Sequence, residues 1–243
     1  GGGVLTGSAG MDKFVTKRIA ESIGVNVVKD FLLIRGTLDK KEAMTSAKRL
    51  GFPLYVKPAN LGSSIGITRV TKADKFIDAV EVAFCYDDRV LVEEAVDLDK
   101  EINISVMGNN PYEVSVTEQP IAKGQTLSFE DKYLANSKKE KGMASLKRII
   151  PAPISKKDES VVQDFAKKIF GAINGKGLAR VDFMMDKKGK IYFNEINTIP
   201  GSLAFYLWDK SGYTFDKLVT KLVDLALESW KSKQKKTTIF ESN

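Results

Sequence analysis

The fold is decided by residues 177–197, which read GLARVDFMMDKKGKIYFNEIN. Two short apolar runs flank a loop signal, and a glycine in the second place of a two-residue loop is typical of a β-hairpin. A loop at Lys188-Gly189 predicts two facing pairs, Asp182 with Glu195 and Arg180 with Asn197. Side chains alternate across a strand, so these four polar groups are predicted to share one face while the other face is apolar.

Two carboxylates that face each other across a strand pair repel unless a positive charge lies between them. Carboxylate and amide oxygens suit Mg²⁺, which shares its remaining coordination positions with substrate phosphates. The alternative is a solvated hairpin face with incidental charges. We prefer the metal interpretation because the four polar residues fall in register and lead into a loop signal, Thr198-Ile-Pro-Gly201.

The composition excludes several kinds of chemistry. The 243 residues are 43% apolar and 28% charged, as in ordinary globular proteins, with room for one large domain or two modest ones. The chain has no histidine, so catalytic triads and metal sites that need imidazole are excluded. Its only cysteine, Cys85, cannot form a disulfide within the chain. With no signal-peptide or membrane-span pattern, we expect a cytoplasmic protein without a membrane partner.

The net charge of +7 has three explanations. A lysine-rich solvated surface accounts for most of it, and a pocket for polyphosphate or carboxylate substrates accounts for a smaller part. Nucleic-acid binding is the third, but the basic residues are dispersed and no aromatic-basic motif appears. We therefore expect no nucleic-acid partner.

The order of periodic segments predicts an α+β fold with two lobes. Residues 1–10 are expected to be a loop or a cloning scar, followed by a helix over 11–23. The smaller lobe is predicted over 11–95 and the larger over 96–231, and they meet near Glu94–Val96. Within the larger lobe, residues 123–147 are long and polar and predict a lid or a disordered loop. Residues 232–243 are a basic tail.

Three further segments could bind a nucleotide, and each has a plainer interpretation. Lys57 and the loop Gly62-Ser63-Ser64-Ile-Gly66 could hold phosphates, although a Gly-Ser loop is more often a simple turn. The strand end Glu93-Glu94-Ala-Val96, with Glu101 for ribose, could hold a purine, or be a charged strand end in solvent. Lys132, beside Tyr133 in the predicted lid, could reach a phosphate, or the lid could have no chemical part. Lys13 is weak support by itself.

Taken in order, these segments resemble the ATP-grasp superfamily and, within it, the D-alanine–D-alanine ligase family. The resemblance runs from about Gly7 to about Glu228. Its motifs are Met11-Asp-Lys13 with Thr16-Lys17, Val56-Lys57-Pro58 with Gly62-Ser63-Ser64-Ile-Gly66, Glu93-Glu94 with Glu101, Lys132-Tyr133-Leu134, Arg180-Val-Asp182-Phe-Met184, and Asn194-Glu195-Ile-Asn197-Thr-Ile-Pro200-Gly201.

The resemblance implies a nucleotide clamped between two lobes. Phosphates would contact Lys13, Lys57, Ser63, Ser64 and the lid residue Lys132. Adenosine would contact Glu93, Glu94, Val96, Glu101 and Met184. Asp182, Glu195 and Asn197 would hold Mg²⁺, with Mn²⁺ as an alternative. Arg180 and the backbone of Gly201 would stabilise a tetrahedral oxyanion, and Tyr133, Arg180, Gly201 and Tyr206 would line the substrate site.

The implied activity is ATP-dependent joining of a carboxylate to an amine through an acyl-phosphate, most simply of two D-alanines for peptidoglycan precursors. ATP and D-amino acids would be the small-molecule partners, and a second copy of the chain would be a further partner if the protein forms a homodimer. Two departures leave alternatives: family members normally begin with a further domain, and they usually carry serine where this chain has Tyr206. The alternatives are a nucleotide-binding module without ligase activity and a ligase for a different second substrate.

Overall fold

The computed structural model describes residues 2–62, 64–121 and 147–237. Its helices are α1 (Val4–Met11), α2 (Lys13–Ser22), α3 (Lys40–Leu50), α4 (Phe76–Phe84), α5 (Lys156–Ala172), α6 (Phe205–Asp209) and α7 (Phe215–Gln234). Its strands are β1 (Asp30–Ile34), β2 (Leu54–Pro58), β3 (Thr68–Val70), β4 (Arg89–Glu94), β5 (Leu98–Gly108), β6 (Tyr112–Pro120), β7 (Arg148–Ile149), β8 (Gly177–Asp186) and β9 (Ile191–Asn197). Among these helices, none is long and apolar enough to cross a membrane.

Two antiparallel sheets form the scaffold. The smaller has the strand order β1-β4-β2-β3, and the larger has the order β7-β6-β5-β8-β9. Alternate residues of β2 and β4, such as Val56 and Val92, face α3 and α4 and form the core of the smaller sheet. The larger sheet packs Ile102, Val181 and Phe193 against α5. The chain passes from one sheet to the other between Glu94 and Leu98, close to the predicted junction.

The predicted pairing of the β8–β9 hairpin is confirmed, but the predicted turn is wrong. Asp182 faces Glu195 and Arg180 faces Asn197. The turn has three residues instead of two, because the amide of Asp186 donates to the carbonyl of Lys190 at 3.0 Å and Gly189 has φ +80°. This turn shifts the pairing by one residue, and an irregularity between Asp182 and Phe183 shifts it back.

The first ten residues differ from the expected loop. Residues 4–11 form α1, in which Thr6 and Ala9 are buried. The Thr6 hydroxyl donates to the carbonyls of Ile173 and Asn174, each at 2.9 Å. These contacts with the end of α5 stabilise a helix that a glycine-rich sequence does not favour by itself.

Helix α2 connects the two lobes. Ala20, at 0% exposure, joins the core of the larger sheet, with Ile19 and Ile23 packed against that core. The same helix carries Lys13 and Lys17, which contact residues of the smaller lobe. The helix thus lies within the range predicted for the smaller lobe, yet its apolar face packs on the larger one.

Candidate active site

A cleft of about 220 Å³ lies between the two sheets. Eleven of the residues predicted from the sequence line it: Lys13, Lys57, Ser64, Glu93, Glu94, Val96, Glu101, Arg180, Asp182, Met184 and Glu195. The structure therefore brings together one wall from the larger sheet and a second from the smaller sheet and α2. Three predicted residues, Ser63, Lys132 and Tyr133, lie outside the described residues, as does nearly all of the predicted lid.

A row of polar side chains crosses four strands of the larger sheet. Glu118 on β6 faces Asn103 on β5, Asn103 faces Asp182 on β8, and Asp182 faces Glu195 on β9. Asn103 and Glu118 were not predicted as site residues. The sequence contains a signal for Asn103, because it lies between Ile102 and Ile104, which belong to the core. Side chains alternate across a strand, so Asn103 is expected on the face opposite the core.

Arg180 holds Asp182 from the same face of β8. Its Nε and Nη2 atoms donate to the two carboxylate oxygens, both at 2.7 Å, which is the bidentate geometry of strong ion pairs. Burial opposes the charge on Arg180, but the carboxylate of Asp182 outweighs it and raises the pKa of the guanidinium. Asn197 Nδ2 also donates to Asp182, at 3.1 Å. Asn197 therefore lies beside the carboxylates with which it was predicted to act.

Lys13 links the acidic wall, which is formed by Asp182 and Glu195 on the larger sheet, to the loop after β2 in the opposite lobe. Its Nζ lies 3.4 Å from Oε2 of Glu195 and donates to the carbonyl of Leu61. The amide of Lys13 donates to the carbonyl of Ala59 at 2.9 Å. Lys13 thus places a positive charge between the predicted phosphate loop and the predicted metal ligands.

The donors on this wall fit a magnesium ion. Asp182 and Glu195 present carboxylates from facing positions, with the amide of Asn197 beside them. In the described ranges no three His, Cys, Asp or Glu side chains cluster as a metal cage would require. Two carboxylates and an amide suit a cation that takes its remaining ligands from water and phosphates. The cations of Arg180 and Lys13 balance these carboxylates here.

Glu93 on the smaller sheet binds two ammonium groups. Lys17 contacts its Oε1, and Lys57 lies 2.5 Å from its Oε2. Burial opposes the charge of Glu93, but the two lysines outweigh it and lower its pKa to about 2. Burial also lowers the pKa of Lys17, against the attraction of Glu93. The neighbouring predicted residue, Glu94, instead accepts a hydrogen bond from the amide of Lys29 at 3.0 Å.

Tyr206 is held by the end of the polar row. Its hydroxyl donates to Oε1 of Glu118 at 2.7 Å, and the same oxygen accepts from Asn103 Nδ2 at 3.0 Å. The guanidinium of Arg148 lies 3.9 Å from the centre of the Tyr206 ring and 3.3 Å from Oε2 of Glu118. Burial and the nearby Glu118 carboxylate raise the pKa of Tyr206. The hydroxyl that replaces the expected serine is therefore a donor to a buried carboxylate.

The loop after β9 contains a run of left-handed backbone. Ser202, Leu203 and Ala204 have φ of 52°, 53° and 49°, directly after Gly201. Three successive positive φ angles without glycine are costly, and such backbone is found where packing enforces it. Of the three residues only Ala204 is buried, and Ser202 is exposed. Four residues after the run, Trp208 is 1% exposed and its indole Nε1 donates to the hydroxyl of Ser105 at 2.8 Å.

Two antiparallel sheets that enclose such a cleft define a protein of the ATP-grasp fold class, and two solved structures share this architecture. They are the VanG D-Ala:D-Ser ligase from Enterococcus faecalis, with a TM-score of 0.77 and 28% identity, and the D-alanine-D-alanine ligase from Coxiella burnetii, with a TM-score of 0.80 and 27% identity. The alignments cover 91% and 96% of this chain and 63% and 61% of theirs.

Sequence comparison identifies the family. A family model described as "D-ala D-ala ligase C-terminus" matches residues 19–224, so the chain belongs to this family. It is 35% identical to a D-alanine--D-alanine ligase of Thermosipho africanus and 37% identical to one of Bacillus cytotoxicus, over 100% and 97% of this chain. The chain spans 65% and 64% of the length of these relatives.

Proposed function

We propose that this chain is the nucleotide-binding and catalytic portion of an ATP-dependent D-alanine–D-alanine ligase, acting in the synthesis of peptidoglycan precursors. The observation that carries the proposal is the pairing of Asp182 with Glu195 and of Arg180 with Asn197 on one face of the larger sheet, where Arg180, Asp182 and Glu195 line the cleft. Lys13 and Lys57 line the same cleft from α2 and the smaller sheet. The similarity to named ligases over almost the whole chain agrees with it.

ATP would lie between the two sheets. The ammonium groups of Lys13 and Lys57 would bind its phosphates, together with the loop that includes Ser63 and Ser64. Its adenosine would lie where the chain passes between the sheets, near Glu93, Glu94, Val96, Glu101 and Met184. Because Glu93 binds two lysines, its carboxylate would act by fixing them. Lys132 in the predicted lid would approach the phosphates from outside.

Asp182, Glu195 and Asn197 would hold Mg²⁺, or Mn²⁺ in its place. The bound ion supplies positive charge that offsets the negative charge of the phosphate groups. Arg180 would keep Asp182 oriented through its two hydrogen bonds. Lys13 would pass from Glu195 to the phosphates, since its ammonium lies between Glu195 and the carbonyl of Leu61, next to the proposed phosphate loop.

In the proposed reaction the carboxylate of the first D-alanine attacks the γ-phosphorus of ATP and releases ADP. The amine of the second D-alanine then attacks the acyl-phosphate and displaces phosphate, with loss of one proton from the amine. Arg180 and the backbone amide of Gly201 would stabilise the tetrahedral oxyanion, because both would present N–H donors beside the acidic wall. Tyr133 would contact the substrates from the lid.

One observation favours a second candidate, a ligase for a different second substrate. The hydroxyl of Tyr206 donates to Glu118, so its proton is not directed at a substrate carboxylate. The VanG ligase, by its name, joins D-alanine to D-serine. A panel of second substrates is therefore part of the test.

The test is phosphate release from ATP and Mg²⁺ with single D-amino acids and with pairs of them. We expect release that depends on a D-amino acid and formation of the corresponding dipeptide. A chain that gains thermal stability with ATP and Mg²⁺ but forms no dipeptide would instead be a nucleotide-binding module. A chain that neither binds ATP nor forms dipeptide would refute the proposal.

A further inference from the structure

Lys17 is a buried charged residue for which the proposed reaction has no use. It is 0% exposed and lies one helical turn after Lys13 on α2. Its ammonium contacts Oε1 of Glu93, while Oε2 of the same carboxylate lies 2.5 Å from Lys57. Lys57 and Glu93 line the cleft, and Lys17 lies behind them.

We infer that Lys17 is a positioning residue: by occupying one oxygen of Glu93, it keeps the Lys57 ammonium directed into the cleft, where the anionic phosphates of a nucleotide bind. This inference rests on the proposed function for the identity of the ligand. It explains what keeps the cleft positively charged, whereas the proposed reaction requires that charge without explaining it.

The arrangement of the three groups supports this role. Glu93 and Lys57 lie on neighbouring strands, because β2 pairs with β4 so that Lys57 faces Leu91 and Tyr55 faces Glu93. Lys57 is thus diagonal to Glu93 on one face of the sheet, within reach of either oxygen. Lys17 comes from α2, whose apolar face is anchored on the other lobe. Since the helix holds Lys17 at Oε1 of Glu93, only Oε2 of that carboxylate is available to Lys57.

The net charge of the cluster formed by Lys17, Glu93 and Lys57 also supports the positioning role of Lys17. A lone buried Glu93 and Lys57 would form a neutral ion pair, and the cleft would gain little attraction for an anion from that lysine. The second ammonium makes the cluster positive by one unit, because the nearby carboxylate of Asp30 is paired with Arg18 at 2.8 Å. A buried excess charge is costly to the fold, and a bound anion would relieve that cost. The lowered pKa of Lys17 is consistent with this cost.

Lys17→Met removes the buried excess cation and leaves a neutral Lys57–Glu93 pair, so the variant should fold. Lys57 is then expected to take both oxygens of Glu93 and withdraw from the cleft. We expect affinity for ADP to fall at least about ten-fold, the scale of a charge-assisted hydrogen bond. Affinity for adenosine, which has no phosphate, should change by less than about two-fold. Isothermal titration calorimetry measures both.

Two controls separate positioning from general damage. Arg89→Met removes the Arg89–Asp12 ion pair, 2.9 Å, which joins the same strand to the start of the same helix, and it should leave ADP affinity unchanged. In a Lys57→Met background, Lys17→Met should have no further effect on ADP affinity, because Lys17 acts through Lys57. An equal loss with and without Lys57 would overturn the inference, as would a Lys17→Met variant that binds ADP like the original chain.

A ligand-free crystal structure of Lys17→Met tests the inference without any nucleotide. The expected result has the Lys57 ammonium within hydrogen-bond distance of both Glu93 oxygens. An unmoved Lys57 would overturn it. Failure of the original chain to bind ADP would overturn the proposed function instead, and the position of Lys57 would still decide the role of Lys17.

Discussion

Replacement of Glu195 by glutamine tests the acidic wall most directly. The substitution keeps the shape of the side chain and removes its charge, so a metal ion would lose one of two carboxylate ligands. We expect turnover to fall at least about 100-fold, the scale seen when one preorganised charge-stabilising group is removed from an active site. We also expect Mg²⁺ to stop strengthening the binding of a non-hydrolysable ATP analogue.

The cost to folding should be small by comparison. Glu195 forms an ion pair with Lys13 at 3.4 Å, and its side chain is 21% exposed. The Lys13 side chain is only 9% exposed, but glutamine keeps an oxygen that can accept from its ammonium, so we expect a cost of about 1.5 kcal/mol. The urea midpoint of Glu195→Gln measures this cost, and activity is compared without denaturant, where the variant should remain folded.

The assay is the dissociation constant of the analogue with and without MgCl₂, measured beside phosphate release. Glu21→Gln is the matched control, because Glu21 also forms an ion pair, with Arg18 at 3.2 Å, but lies on the exposed side of α2. That variant should behave like the original chain. Our reasoning about the wall would be refuted if Glu195→Gln kept both its turnover and its Mg²⁺ dependence.

Three other predictions concern stability. Tyr206→Phe should lower the free energy of unfolding by about 1.5–3 kcal/mol, since Glu118 loses a 2.7 Å donor, and an unchanged urea midpoint would contradict this. Glu93 contributes stability above its ordinary pKa of 4.5, and this is lost as the pH falls toward about 2, so the acid unfolding curve of Glu93→Gln should be flatter there. Gly189→Ala should cost about 1 kcal/mol by thermal denaturation because Gly189 has φ +80°; the Gly36→Ala control has no such angle, and equal effects would be evidence against the turn.

The β8–β9 hairpin shows how far sequence reasoning reached. The pairs Asp182–Glu195 and Arg180–Asn197 were predicted correctly, although the turn was assigned one residue too few. Turn length is set by local backbone angles that several sequences share, whereas burial of alternate residues constrains the register over the whole strand. The irregularity that compensates for the turn has no sequence signature of its own.

Contacts between distant segments were not predictable in the same way. Lys17 and Glu93 are 76 positions apart, and they meet because α2 packs on the larger sheet while its lysines reach the smaller one. The same is true of α1, whose Thr6 hydrogen-bonds to residues at the end of α5. A periodic pattern reports which face of an element is buried, but it does not report which element covers that face.

The two tryptophans lie in very different surroundings, and this gives the protein an intrinsic optical probe. Trp208 is sealed from water and hydrogen-bonded to Ser105, which faces Arg180 across β5 and β8. Trp230, at 60% exposure, lies near the end of α7. Their emission should separate into a blue component and a red one, and replacing Trp230 by phenylalanine would leave a single tryptophan, which hydrogen-bonds to the strand that pairs with β8. Quenching by acrylamide could then follow events at Arg180 without any added dye.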